Sequence, residues 1–422
     1  AADGGLQYSE DSGKTWSGHV IPYLGKVAEQ QQSNTMANMP KVIGLTIHPD
    51  QPDVILAASS EFGVFRSVDG GLSWGHSNVG LKTSKLHQVY FAPSNSSVAY
   101  LSTHHGIYRS DDGGNSWTER SEGLQHKFLS PIAIHPNNEN IVFVGTTSEI
   151  YTIHPEHMNK GLHHGHGIYK TIDGGMQWKR SDTDIIEAKP AQLGTHPLIP
   201  FNIWVGGESG RGNLFSPDGG DNWIFSSSIT AHYPMVYAFN YEFPTTIYTT
   251  GWLRTGEFTA STDGGASWYT LTHKLNEGLS DRTKELGLRG DGPSDFHIHG
   301  LAVAPSDPNV IYVGSVHDTV YTELNFNLDG AHIWKSSDGG ETFPEMSNGF
   351  PIETITSINS IVVHPRDADT AYVMTSLHET ETAIGIYKTT NGAQDWFPVN
   401  DGLDVFTNDL QLDPINPDIL YA

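Results

Sequence analysis

Short apolar runs separated by polar turns recur along this chain, in the pattern expected of β-strands. One unit holds two such runs at 42–49 and 53–59, a third at 62–67, and then a Gly-rich turn that ends at Trp74. Pro follows the first run of most units, and because Pro cannot donate to a strand ladder it predicts the end of that strand. Each unit thus predicts four short antiparallel strands, with the Gly-rich turn between the third and the fourth.

The Gly-rich turn is a motif of eight residues that occurs eight times, for example SVDGGLSW at 67–74 and STDGGASW at 261–268. We expect its acidic residue to accept hydrogen bonds from nearby backbone N–H groups, and its Gly to supply the positive φ of a tight hairpin. Several neighbouring copies lie 43 or 45 residues apart, a period that indicates the four-stranded blades of a β-propeller. The acidic or amide positions are Asp11, Asp69, Asp112, Asp173, Asp218, Asp263, Asp338 and Asn391.

The two ends of the chain complete the repeat. Residues 410–422 read as the first two strands of a unit, and residues 3–16 read as the last two. The sequence therefore predicts an all-β fold, a single eight-bladed propeller whose termini share one blade and leave no exposed sheet edge. The alternative is that the terminal strands pair with a second molecule and build filaments. The predicted blades, numbered 1 to 8, are 1–22 with 406–422, 40–80, 85–122, 128–182, 190–228, 234–272, 297–346 and 357–400.

The motif S-x-D-G-G-x-S/T-W resembles the Asp-box, or BNR, repeat of sialidases, sortilin-type Vps10 domains, two-propeller xyloglucanases and photosystem II assembly factors. Two copies depart from it, since Phe343 replaces Trp, and Asn391 and Ala393 replace Asp and Gly. The resemblance spans nearly the whole chain and implies that the boxes lie between strands three and four on the outer rim, in a structural role. The histidine-glycine stretches near 104 and 164 are also similar to bacterial Asp-box proteins labelled glycosylhydrolase-like.

The loops from strand two to three, and from strand four to the next blade, meet on one face of a propeller, where ligands usually bind. Three insertions fall on this face, at 147–167 in blade 4, at 274–300 before blade 7 and at 316–332 within blade 7. Insertions on one face of a repeat scaffold commonly carry function. We therefore expect the ligand there and call it the loop face.

Histidine is concentrated in the same segments and suggests a metal site. Neutral imidazole favours zinc, copper, iron or nickel, and His297 and His299 alternate on a strand and so are expected to point to one side. Asp295 and Glu379 are candidate carboxylate partners, and the acidic stretch 289–295 is an alternative calcium site. The candidate metal ligands are His87, His104, His105, His163, His164, His166, His297, His299 and His317. Four other histidines precede Pro at the opposite end of strand one and are expected to be turn residues: His48, His135, His196 and His364.

Classical sialidase activity is not expected. Sialidases hold the substrate carboxylate with three Arg on a propeller, whereas this chain has only nine Arg and its inner strands carry Gly, Leu, Val and Ile instead. Another glycosidase with two carboxylates at the channel mouth stays an alternative. Trp252 and Arg254 lie outside any box and are a candidate sugar-stacking platform, although Trp252 would equally suit packing between blades.

Charge and composition narrow the partners. The 422 residues include 23 basic and 48 acidic ones, a formal net charge of −25, so nucleic acid is not an expected partner. No apolar run approaches the roughly 20 residues of a membrane helix, and without Cys the chain has no disulfides or thiolate metal sites. The opening AADGG is consistent with an exported chain whose signal peptide has been removed, or with a truncated one.

These features together predict an extracellular or cell-surface propeller that acts as a rigid binding or assembly scaffold for a protein, peptide or glycan. One alternative is a glycoside hydrolase-like or His-metal-dependent hydrolase at the channel mouth. A second is a structural subunit that polymerises through its terminal strands.

Overall fold

The structure is a computed structural model. It describes residues 6–19, 42–146, 167–182, 190–207, 213–225, 232–252, 258–281, 297–316, 331–350, 357–377, 382–403 and 410–422. Almost all regular structure in these ranges is β-strand, and they contain one short helix, α1 (Thr272–Glu277).

The strands of blades 2 to 5 follow one another along the chain. Blade 2 consists of β3 (Val42–Ile47), β4 (Ile55–Ser59), β5 (Gly63–Ser67) and β6 (Gly75–His76). Blade 3 consists of β7 (Leu86–Ala92), β8 (Asn95–Thr103), β9 (Gly106–Ser110) and β10 (Thr118–Glu119). Blade 4 consists of β11 (Leu129–Ile134), β12 (Val142–Thr146), β13 (Ile168–Thr171) and β14 (Lys179–Arg180). Blade 5 consists of β15 (Pro190–Thr195), β16 (Ile203–Gly207), β17 (Asn213–Ser216) and β18 (Ile224–Phe225).

The remaining strands form blades 6, 7, 8 and 1. Blade 6 consists of β19 (His232–Phe239), β20 (Ile247–Trp252), β21 (Phe258–Ser261) and β22 (Tyr269–Thr270). Blade 7 has β23 (His297–Val303), β24 (Ile311–Val316) and β25 (Ile333–Ser336), and blade 8 has β26 (Ser357–Val363), β27 (Ala371–Leu377), β28 (Thr382–Thr389) and β29 (Phe397–Pro398). Blade 1 is made by β30 (Gln411–Leu412), β31 (Leu420–Tyr421), β1 (Leu6–Ser9) and β2 (Ser17–His19).

Each blade is an antiparallel sheet whose strands lie in chain order, which confirms the predicted all-β, eight-bladed propeller. Blades 7 and 8 are joined into one sheet because Val316 pairs with Ser357. Blade 7 lacks a regular fourth strand, and a single bridge between Trp334 and Glu345 takes its place. Strand one ends one or two residues before its Pro, for example at Ile47 before Pro49, as predicted.

Blade 1 confirms that the termini share one blade. Tyr8 pairs with Tyr421, and the N–H groups of Gln7 and Ala422 each donate to the carbonyl oxygen of the other at 2.9 and 2.8 Å. Both terminal strands are therefore paired within one chain. Exchange of these strands between molecules, the filament alternative, would first require these pairs to open.

The chain divides into two compact units. Unit 1 comprises Ala1–Leu6, Gly18–Val205 and Ser216–Trp223, and unit 2 comprises Gln7–Ser17, Gly206–Phe215 and Ile224–Ala422. Within unit 1 the first strands β3, β7, β11 and β15 pack side by side, and within unit 2 so do β19, β23 and β26. The fourth strand of each complete blade lies at the opposite edge of its sheet.

The Asp-box motifs fold as the sequence predicts. In blade 2 the Ser67 hydroxyl donates to Asp69 Oδ1 at 2.8 Å, while the Ser73 N–H donates to the same oxygen at 2.8 Å. The N–H of Gly71, whose φ is 88°, donates to Ser67 Oγ at 2.8 Å. Blade 8 keeps this geometry with Asn391, which accepts from the Asp395 N–H at 3.0 Å and donates its amide to the Asp395 carboxylate at 2.9 Å.

The box aromatic joins one blade to the one before it. Trp117 Nε1 donates to Ser77 O at 2.9 Å, and Trp396 Nε1 donates to Met346 O at 2.8 Å. Both rings are almost fully buried in apolar clusters, Trp117 among residues of blades 2 and 3 and Trp396 among residues of blades 7 and 8. These two box Trp residues therefore hold neighbouring blades together.

A second repeated contact occurs in blades 2, 3, 6, 7 and 8 and was not predicted. The residue four positions after the box aromatic accepts a hydrogen bond from the N–H near the start of strand three. Val64 donates to Asn78 Oδ1 at 2.8 Å, and Ile386 donates to Asn400 Oδ1 at 2.7 Å. Ser121, Thr272 and Ser347 do the same in their blades. A polar residue follows seven of the eight box aromatics at this fixed offset, all but Trp16, and is a signal that the sequence contains.

Helix α1 opens a connection expected from sequence to be an insertion. Leu271, Leu275 and Leu279 are each at most 5% exposed and pack into one apolar cluster of unit 2. Their spacing of four residues places them on one face of a helix, which explains the short helical turn. Among the residues that the structure describes, no helix is long and apolar enough to cross a membrane.

Candidate functional site

The four histidines that precede Pro are turn residues, as predicted. His48 Nδ1 accepts the N–H groups of Asp50 and Gln51 at 3.2 and 3.1 Å, and His196 Nδ1 accepts those of Leu198 and Ile199, both at 2.9 Å. His135 and His364 each accept one such bond. Because Nδ1 accepts a hydrogen bond, the proton of a neutral imidazole lies on Nε2. These four histidines therefore stabilise the backbone of their turns.

The opposite end of strand one carries a β-bulge in several blades. The pairing of β7 with β8 shifts by one residue between Leu86 and Gln88, which makes His87 the bulged residue. The same shift between Ile298 and Gly300 makes His299 the bulged residue of β23. A bulge redirects a side chain and is common beside functional sites. It also breaks the regular alternation from which His297 and His299 were expected to point to one side.

In blade 3 the bulge brings His87 against two other rings. The rings of His87 and His104 are stacked with centroids 4.4 Å apart and planes 2° apart. Phe128, just before β11 of the next blade, meets both rings edge-on, at 4.7 Å from His87 and 4.4 Å from His104. Because Leu86 pairs with Thr103 at the end of β8, these rings lie at the end of the sheet that we predicted as the loop face. We call them the blade 3 ring cluster.

Burial controls the charge of this cluster. It lowers the pKa of His87 to about 4, and repulsion from His104 acts in the same direction. His87 is therefore neutral at pH 7. Among the described residues, its buried Nε2 has no hydrogen-bond partner. The neighbouring His105 is exposed, and its N–H donates to Thr103 Oγ1 at 2.9 Å.

The ring cluster does not fit a metal centre. A metal ion lies in the plane of each imidazole that binds it, and two planes only 2° apart do not meet at a shared ion. Within the described part of the chain, no group of three or more His, Asp or Glu side chains is arranged to hold a metal. The structure thus brings together His87 and His104 of the predicted ligands, in a stack instead of a chelate.

Several predicted site residues lie outside the described residues: His163, His164, His166, His317, Arg254, Asp295 and Glu379. Trp252 ends β20, and His297 begins β23. The Asp-box positions are all described and act in turns.

A charged groove between blades 3 and 4 of unit 1 was not predicted from the sequence. It has a volume of 650 Å³ and lies between the 119–124 segment after β10, Lys82, Lys127 and the box residue Met176 of blade 4. The Trp178 N–H donates to Glu122 O at 2.8 Å, so the blade 4 box forms one wall. Gly123 forms close backbone contact there, because an added Cβ would lie 2.2 Å from Trp178 O.

One carboxylate in this groove serves two ammonium groups. Glu119 accepts Lys82 Nζ at 2.8 Å and Lys127 Nζ at 3.3 Å. The bond from Lys82 is the main reason that the pKa of Glu119 lies below its usual value. Arg120 also lines the groove, and its Nε is buried without a hydrogen-bond partner among the described residues. The groove therefore holds three cations against Glu119 and Glu122, the reverse of the whole-chain balance.

Comparison with known proteins identifies relatives of parts of the chain. The sortilin–Vps10 family, described as "Sortilin, neurotensin receptor 3", matches residues 62–196. The dispase autolysis-inducing protein of Streptomyces mobaraensis is 24% identical over 148 residues, which are 33% of this chain and 37% of that protein.

Two solved structures share the fold. The GH74 xyloglucanase of Xanthomonas campestris has a TM-score of 0.55 at 15% identity, over 86% of this chain and 55% of the enzyme. Sqt1 of Saccharomyces cerevisiae has a TM-score of 0.56 at 10% identity, over 90% of this chain and 95% of Sqt1. The chain spans little more than a third of the dispase autolysis-inducing protein and about half of the xyloglucanase. It is an eight-bladed Asp-box β-propeller, similar over residues 62–196 to the sortilin–Vps10 family.

Proposed function

We propose that this propeller is an exported, rigid scaffold whose loop face binds a peptide segment of a partner protein. The observation that carries the proposal is the blade 3 ring cluster. There His87, His104 and Phe128 are in mutual contact, and the buried Nε2 of His87 has no hydrogen-bond partner among the described residues. Flat, polarizable rings at the mouth of a rigid repeat scaffold suit an extended chain, since they offer contact area with little loss of side-chain freedom.

The comparisons support a binding role. The description of the matching family, "Sortilin, neurotensin receptor 3", names a receptor. The match covers 62–196, the part of the chain that contains the ring cluster. Export is proposed on the same basis, together with the acidic composition.

A peptide library tests this proposal. Phage displaying random dodecapeptides would be selected on the purified full chain and on the double variant His104→Ala/Phe128→Ala. Phe243→Ala is a matched control, because Phe243 is a 56% exposed ring in the turn after β19. We expect peptides that bind the wild type and the control, and that lose at least tenfold in affinity for the double variant. Failure to enrich any peptide, or equal binding to all three proteins, would overturn the proposal.

The hydrolase alternative is tested in parallel. Xyloglucan and chromogenic glycosides would be incubated with the protein, and release of reducing ends or chromophore would favour catalysis at the channel mouth. The fold shared with the xyloglucanase and the likeness of the His-Gly stretches near 104 and 164 to glycosylhydrolase-like Asp-box proteins are the reasons for this test.

Metal binding is proposed from the sequence of the His-rich segments alone. Elemental analysis of the purified protein by mass spectrometry, after removal of loosely bound ions, tests it. A stoichiometric transition metal or calcium would support the proposal, and its absence would remove it.

A further inference from the structure

We propose that the groove between blades 3 and 4 binds an acidic peptide segment that also carries apolar residues. This site is separate from the blade 3 ring cluster and does not rest on the function proposed there. The groove residues lie beside β10 and the blade 4 box, whereas the ring cluster lies at the start of the first strands.

The first argument is charge. The chain as a whole carries −25, yet the groove gathers Lys82, Arg120 and Lys127 around two carboxylates. The positive charge of the groove acts only on nearby ligand groups, because charges more than about 10 Å apart are largely screened at 0.1 M salt. It therefore favours a short acidic segment over a long polyanion, which the rest of the surface would repel.

The second argument is the state of the cations. Lys82 and Lys127 are 75% and 51% exposed and share one carboxylate, so each keeps donor capacity for a ligand. Among the described residues Arg120 forms no ion pair, and its Nε has no acceptor. The planar guanidinium of Arg120 lines the groove and suits a bidentate carboxylate.

The third argument is shape and polarity. A volume of 650 Å³ lies within the range of ordinary ligand sites. Met176 is 60% exposed on one wall, and its flexible thioether offers an apolar contact beside the cations. A ligand that alternates carboxylates with apolar side chains matches both surfaces.

Fluorescence polarisation with a defined probe tests the proposal. The probe is a fluorescein-labelled dodecapeptide of eight Glu and four Leu, and a peptide with Lys in place of Glu is its control. The tested variants of the full chain are Arg120→Gln and the double variant Lys82→Gln/Lys127→Gln. The matched control is Arg366→Gln, since Arg366 is an exposed cation in the turn after β26, outside the groove. Circular dichroism melts verify that each variant is folded.

We expect the Glu peptide to bind and the Lys peptide not to bind. Arg120→Gln and the double variant should each weaken binding about tenfold, and the control should stay within about twofold. Glu119→Gln gives the sharpest result, because it releases both Lys82 and Lys127. It should tighten binding several-fold, whereas loss of a merely structural ion pair would leave binding unchanged or weaker.

Three results would overturn the proposal. They are no binding of the Glu peptide, equal binding by wild type and groove variants, and weaker binding by Glu119→Gln. A sulfated hexasaccharide serves as a competing probe, and tighter binding of it with the same dependence on the variants would assign the groove to a glycan instead. The ring-cluster variant His104→Ala/Phe128→Ala should bind the Glu peptide with the affinity of the wild type. Peptide binding at the groove can then be distinguished from peptide binding at the blade 3 ring cluster.

Discussion

His48 fixes the turn after β3 by accepting two backbone hydrogen bonds, from Asp50 and Gln51 at 3.2 and 3.1 Å. Its ring is 6% exposed and packs edge-on against Phe91, with 4.9 Å between the centroids. The corresponding turn of blade 6 uses Asn240, whose Oδ1 accepts two N–H groups at 3.0 and 2.8 Å. The variant His48→Asn therefore keeps an acceptor that the chain already uses and that cannot be protonated.

The expected losses follow from these contacts. His48→Ala removes the acceptor for two N–H groups, each worth about 1 kcal/mol, and the ring contact, so we expect a loss of about 2–3 kcal/mol in the free energy of unfolding. His48→Asn removes only the ring contact and should cost about 1 kcal/mol or less. Both values refer to pH 7.5, where the imidazole is neutral.

The effect of pH has a definite sign. Burial lowers the pKa of His48 from its usual 6.5, and Asp50 offsets this only in part. Below pH 6.5 the unfolded chain then binds more protons than the folded one, so this contribution is complete above pH 6.5 and is lost as the pH falls towards the folded pKa. At pH 5.0 the loss is at most about 2 kcal/mol. The Asn variant lacks this loss, so the gap between it and the wild type should narrow or reverse.

Urea unfolding followed by Trp fluorescence at pH 7.5 and pH 5.0 measures these differences for the wild type and both variants. If the Asn variant lost as much stability between the two pH values as the wild type, His48 would not be a titrating acceptor and the argument would fail.

Three further changes test other parts of the structure. His87→Phe should make the protein less sensitive to acid, as measured by scanning calorimetry at pH 7.5 and 4.5. The folded pKa of His87 is about 4, so neutral His87 contributes up to about 3 kcal/mol to the free energy of unfolding. This contribution is present above pH 6.5 and is lost as the pH falls towards 4. Glu345→Ala should lower the free energy of unfolding by about 1–3 kcal/mol in urea, since it removes the carboxylate 2.9 Å from Nδ1 of buried His332, and an unchanged stability would contradict this. Asp112→Ala should cost about 1–2 kcal/mol in thermal unfolding, whereas Asp112→Asn should cost less than half as much, as Asn391 fills the same role in blade 8.

The sequence by itself determined the repeat and its closure. The hydrogen bonds of each box join residues at most four positions apart, as between Ser67, Asp69 and Ser73, so the pattern of eight letters contains the whole turn. The two half-units at the termini specify the shared blade by simple complementarity, and the structure pairs them. The turn role of the His-Pro residues was predicted for the same reason, because their partners are two or three residues away.

Only the tertiary structure decided where chemistry is concentrated. His87 meets Phe128 because a one-residue bulge turns its side chain and because two blades pack together, and neither event appears in a hydrophobic period. The groove joins Lys82, the 119–124 segment and Met176, which belong to three separate parts of the repeat. Local hydrogen bonding is written in neighbouring residues, whereas sites between blades depend on register and on the packing of distant segments.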